Sequence, residues 1–171
     1  MKKPYWLWLV PVTVTIHNAE ELAYMRYYLA EYNRGLPAAV RDLLPQVTYP
    51  QFFTAVSIVT LIPFLLMAIP EHRSRHGRRT LALLVFQMVM LLNACAHVAS
   101  AATASGYTPG LATAIGINFP FSVLLFREAV RSEWLTTKTL GVLVLPAALL
   151  HGPGLLGLMM VSRALTDLLD I

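Results

Sequence analysis

Charge is what this chain has least of. Asp, Glu, Lys and Arg make up 13% of its 171 residues, where a soluble domain of this length carries about 25%. That shortage excludes a solvated charged surface over most of the molecule. The charges present are gathered in short stretches that leave long apolar runs between them. Cysteine is nearly absent as well. Cys95 stands alone, so no intrachain disulfide can form and the redox compartment stays open. Inside its apolar run it reads as a small packing residue. Internal repeats, low-complexity tracts and linkers are missing, and the length fits one domain, residues 1–171. A net charge of +4 would suit nucleic acid. The basic residues sit in short connectors between apolar runs, so they read as a membrane-topology signal, with no nucleic acid partner.

What fills the chain instead is apolar residues, 57% of the total. A membrane-crossing helix needs about 20 of them in a row. Five candidate spans follow: 4–25, 51–69, 80–103, 111–126 (continuing toward Arg131) and 139–161. The predicted fold is therefore all-α, a polytopic membrane helical bundle of about five transmembrane helices. The first candidate is the odd one, because its uninterrupted apolar stretch, 4–16, is too short to span without His17, Asn18, Glu20 and Glu21. Lys2, Lys3 and that short core resemble a signal peptide, but no small-x-small cleavage site follows. Gly152, Pro153 and Gly154 predict an interruption in the fifth span. Pro37 near a helix start, with Val40, Leu43 and Leu44 on one side, predicts a short interfacial helix at 36–44.

Five spans divide the Lys and Arg residues nine to four, with Lys2, Lys3, Arg73, Arg75, Arg78, Arg79, Arg127, Arg131 and Lys138 on the richer side. The positive-inside rule then puts the N-terminus in the cytoplasm and the C-terminus outside.

The polar residues inside the spans are few and patterned. His17, Glu20, Glu21 and Tyr24 follow at i, i+3, i+4 and i+7, one helical face. Asn93 and His97 are four apart on the third span, Asn118 is on the fourth and His151 on the fifth. Counting 1.5 Å per residue puts these groups in one layer, roughly 18–26 Å from the inner boundary. A charged side chain at the bilayer centre costs about 2.5–3.5 kcal/mol even on the lenient insertion scale. Two adjacent carboxylates in a low dielectric also repel. A divalent transition metal, Zn, Fe or Mn, would resolve that conflict, with His17, Glu20, Glu21 and His97 as suitable ligands. One glutamate would hold the metal and the other would act as catalytic acid or base. Asn93, Asn118 and His151 are candidate neighbours.

His17-Asn18-Ala19-Glu20-Glu21 reads as HxxEE, His97 follows as an isolated histidine, and Tyr107-Thr108-Pro109-Gly110 reads as YxPG. In this order the three elements resemble the HXXEE-domain family of small integral membrane proteins, over about residues 5–160. The family has no assigned function. The resemblance implies that His17, Glu20, Glu21, His97 and the turn bearing Tyr107, Pro109 and Gly110 belong to one site, and it supplies no reaction.

Three functions compete at this level. The first is a membrane-embedded metal-dependent enzyme, a hydrolase or oxidoreductase, acting on an apolar or lipid-like substrate. The second is a proton- or cation-handling transport protein, which at this size would need a homo-oligomer. The third is haem ligation by His17 and His97, which leaves the paired glutamates unexplained.

Overall fold

The structure, a computed structural model, describes residues 3–44, 46–70, 77–104 and 106–170. Six helices account for nearly all of them: α1 (Lys3–Gly35), α2 (Ala38–Leu43), α3 (Tyr49–Ala68), α4 (Arg78–Ala104), α5 (Leu111–Arg131) and α6 (Thr137–Leu169). The last four are long and apolar enough to cross a membrane, and the chain is a multi-span helical membrane bundle. The expected first span, 4–25, is instead the beginning of a 33-residue helix. Its polar residues do not stop it, because Glu is a good helix former. Gly35 and the following Pro37 do. At 1.5 Å per residue α1 is about 50 Å long. It therefore overshoots a hydrocarbon core of about 30 Å. The same polar residues keep α1 from qualifying by composition, although it packs in the bundle beside α3 and α4.

Local signals explain the other boundaries. Thr48 and Gln51 form a reciprocal capping box that starts α3, with Thr48 accepting from the Gln51 N–H and Gln51 accepting from the Thr48 N–H. The expected interfacial helix is the single turn and a half of α2, ended by the buried Leu44. Asn33 exchanges two hydrogen bonds with the backbone of Val47, at 2.9 and 2.8 Å, tying the end of α1 to the connector before α3.

The fifth span does not break at Gly152–Gly154. Residues Leu150–Gly154 form a π-turn, and α6 continues to Leu169. The wider turn accommodates the N–H that Pro153 lacks within a continuous helix. A second π-turn, Ala114–Asn118, lies in α5.

Two packed cores lie at opposite ends of the bundle. Leu7, Val10, Leu83, Leu84, Leu125 and Phe126 belong to the one that includes the N-terminal ends of α1 and α4. Met25, Leu44, Val47, Phe52, Val56 and Met159 build the other. Polar side chains of α1, α4, α5 and α6 meet between them. Outward-facing Leu61, Leu65, Val123, Leu124, Leu145 and Leu149 remain exposed, as a lipid-facing surface requires.

Candidate metal centre

His17 is completely buried. Its Nδ1 lies 2.8 Å from the Thr113 hydroxyl, which itself donates to the Gly110 carbonyl at 3.2 Å. A hydroxyl that donates to Gly110 is an acceptor for His17 Nδ1–H, the tautomer that turns the Nε2 lone pair toward α4. The Asn93 amide N–H reaches that lone pair at 2.8 Å. Asn93 Oδ1 accepts from His151 Nε2 at 3.2 Å, so one amide lies between two imidazoles.

Glu21, one turn beyond His17, brings Oε1 to 3.6 Å from His17 Nε2 and 3.0 Å from His97 Nε2. His97 Nε2 is buried and makes no hydrogen bond despite that short approach. The two rings meet edge to face with centroids 5.1 Å apart. One ligand atom from each of His17, Glu21 and His97 can be chosen so that all lie within 4.8 Å of one another. A cation bound at about 2.0–2.2 Å needs ligand atoms roughly 3–4.5 Å apart. The three side chains therefore stand close to the spacing that a shared cation requires.

Glu20 is not brought into this group. Successive helix residues point 100° apart, so the two glutamates of the motif diverge. Glu20 Oε2 accepts the Thr113 N–H at 2.8 Å, and Oε1 accepts the Ala112 N–H at 3.2 Å and the Tyr107 hydroxyl. It is a carboxylate cap, supplied by α1, on the positive N-terminal end of α5. Those donors answer its charge, so a cation is not needed there. Placing all of His17, Glu20, Glu21 and Tyr24 on one face was too coarse: Tyr24 instead packs edge to face on Tyr107 at 5.6 Å.

Gly110 explains the turn. Its φ is +87°, in the left-handed region. A Cβ there would lie 2.9 Å from Cε1 of both His17 and His97 and 3.0 Å from Glu21 Cγ. The backbone of this turn thus lies directly against all three candidate ligands. Pro109 and Thr108 line the adjoining cavity, and the Thr108 hydroxyl is buried without a hydrogen-bond partner. Burial of the Tyr107 phenol and its bond to Glu20 push its pKa up to about 12.

Asn118 is completely buried, but neither polar atom of its side chain has a hydrogen-bond partner, and it is not joined to the cluster. Below it Ser122 donates to the Asn118 carbonyl and accepts from Gln87. Sequence reasoning missed Thr113, which sets the His17 tautomer. It also missed Asn18 as a structural contact, donating to Thr60 at 2.7 Å. Thr113 follows the YxPG turn by three residues, a helix-start position that could have suggested it.

The cluster forms part of the wall of a cavity of about 670 Å³ between α1, α3, α4 and α6. Glu21, Asn93, His97 and His151 face it, and most of the remaining lining is apolar. A family model described as a protein of unknown function with HXXEE motif matches residues 8–125, and the chain belongs to that family. No curated protein and no solved structure matches it.

Proposed function

We propose that this HXXEE-family member is a membrane-embedded, metal-dependent enzyme that acts on an apolar substrate. The observation that carries this reading is the convergence of His17, Glu21 and His97, of which Glu21 and His97 face a large, mostly apolar cavity and His17 lies buried behind them. Three protein ligands are the set that catalytic zinc sites use, with a fourth position left open. A bound divalent transition metal, Zn, Fe or Mn, would supply Lewis-acid or redox chemistry. His17 holds its ring through Thr113, as metal-binding imidazoles are held by a partner on the second nitrogen. To hold a cation, His17 Nε2 would give up its contact with the Asn93 amide. With Glu20 engaged at the α5 terminus, the acid–base role passes to His151, which lines the cavity beside Asn93. The edge-to-face imidazoles, with Gly110 pressed on both, do not favour a haem between them.

Metal analysis of the detergent-purified protein tests this reading. After loading with Zn, Fe(II) or Mn, the wild type should retain one equivalent of at least one of them. His17→Ala, His97→Ala and Glu21→Gln should lose it, and Glu20→Gln should keep it. Absence of stoichiometric metal in the wild type, or full retention by His97→Ala, overturns the proposal. The cytoplasmic N-terminus and outward C-terminus belong to the same reading, and place the cluster in the outer half of the bilayer.

A further inference from the structure

The height of each lining residue says more about the occupant than the cavity volume does. Glu21 and His97 touch, so they mark a common level on α1 and α4. The Asn18–Thr60 bond ties α3 to that scale, and the Tyr49 hydroxyl, bonded to the Leu22 carbonyl, ties its beginning. On α1 the lining continues past Glu21 to Tyr28 and Tyr32, the latter about 16 Å farther along at 1.5 Å per residue. Phe52 and Met159 close that arm, with Phe52 against the Tyr32 ring. On α4 the lining continues the other way from His97 through Met90 and Val89 to Phe86, again about 16 Å. Ile62 faces that arm from α3. The polar groups Glu21, Asn93, His97, Thr108 and His151 therefore occupy the middle of the slot; the arm toward Phe86 is apolar, and the other is apolar apart from the Tyr28 and Tyr32 phenols.

A polar band at mid-length does not suit an amphiphile with a polar head at one end, because its head would have to leave Glu21, His97 and His151 or its tail would leave one arm empty. A compact polycyclic body leaves both arms empty. Spread over roughly 30 Å of height, a volume of about 670 Å³ makes a long slot that suits an extended chain. We propose that the occupant is a single long alkyl chain lying along the slot, with its functional group partway along the chain, opposite Glu21 and His97. The occupant follows from the cavity alone. That the chain reacts there rests on the metal-dependent reading.

Photo-crosslinking separates the two. Two long-chain alkyl alcohols of equal length are used, one with a diazirine beside a mid-chain hydroxyl, the other with the diazirine at a chain end. The full-length protein is labelled in detergent, with and without zinc. The mid-chain probe should mark peptides around Glu21 and Asn93–His97, and the end probe those around Phe86–Val89 and Tyr28–Phe52. Ala55→Phe and Val89→Phe, which fill one arm each, should cut labelling by both probes several-fold and leave bound metal unchanged. The end probe marking Glu21 and His97, or labelling that excess unlabelled alcohol does not compete away, overturns the threaded occupant. The wild-type labelling pattern decides even where a filled variant fails to fold. Loss of metal binding with that pattern intact overturns the enzyme reading and leaves the occupant standing.

Discussion

A single residue decides whether the turn and the two histidines can share one place. Gly110 meets both requirements for glycine at once, a positive φ and no room for a Cβ. Gly110→Ala should cost at least about 1 kcal/mol from the left-handed backbone alone. The clash should also move the imidazoles and weaken metal binding. Gly116→Ala is the control: it lies in α5 with nothing within 4 Å of the added carbon. It should be neutral or stabilise by up to about 1 kcal/mol. Thermal melts and metal titrations of the two variants check this, and equal effects would remove the special role of Gly110. Tyr107 makes a second test at this scale. Its folded pKa of about 12 lies above the ordinary value of 10.0, so the folded state favours the protonated phenol. Its contribution to stability is complete below about pH 10 and is lost as the pH rises toward 12. Wild type minus Tyr107→Phe should show that decline in alkaline unfolding curves, and parallel curves through this window would exclude it. The HxxEE pattern was legible in the sequence, but the parting of its two glutamates was not. The 100° step gives two directions but not the partners, the α5 terminus for Glu20 and His97 for Glu21, because one helix does not contain its neighbours.

At the scale of elements, regular faces of α1 and α4 carry His17, Glu21 and His97, while helix ends and wide turns of α5 and α6 supply their neighbours. The N-terminus of α5 points its amides at Glu20 on α1. The π-turns of α5 and α6 both lie in the helical stretches that present site residues, Thr113 just before one and His151 within the other. Helix spans were legible because a bilayer demands long apolar runs. The π-turns were not, because apolar periodicity does not distinguish one wide turn from regular helix. Glycine and proline at 152–154 signalled a departure from regular helix but not its form. The cap yields a prediction. Glu20→Ala leaves the amides of Ala112 and Thr113 and the Tyr107 hydroxyl without their acceptor, a loss of about 1–3 kcal/mol. Glu20→Gln retains an acceptor and loses only the charge at the helix end, about 0.3–1 kcal/mol. Hydrogen exchange of the Ala112 and Thr113 amides should therefore accelerate strongly in the first variant and weakly in the second. Unchanged exchange in Glu20→Ala would mean that the cap does not hold the turn.

For the whole molecule the remaining question is how the bundle sits across the membrane, and α1 decides it. Four helices qualify as spans by composition, and α1 does not because the polar cluster lies in its middle. Yet α1 lies alongside α3 and α4; its Trp6 stacks on Phe121 at 6.5 Å, midway along α5, and its Leu7 belongs to the same core as Leu83, Ala129 and Trp134, near the end of the bundle where α5 finishes. Its far portion meets the beginning of α3 through Tyr32 and Phe52. A helix in contact with both ends of its neighbours crosses whatever they cross. The alternating connections then gather Lys3, Arg78, Arg79, Arg127, Arg131 and Lys138 at one end, against Arg26, Arg34, Arg41 and Arg163 at the other. Lys2, Arg73 and Arg75, which lie outside the described residues, belong to the first group by sequence. That asymmetry predicts which end is cytoplasmic. Three reporters distinguish the possibilities: one at the N-terminus, one after Arg75 and one after Ile171. Five spans place the first two in the cytoplasm and the third outside. If α1 does not cross, the N-terminal reporter moves to the side opposite the Arg75 reporter, while the other two stay apart. If the Arg75 and Ile171 reporters share a side, the crossing of α4, α5 and α6 is wrong instead. The first outcome alone keeps His17, Glu21 and His97 within the bilayer, as the proposed metal centre beside an apolar cavity requires.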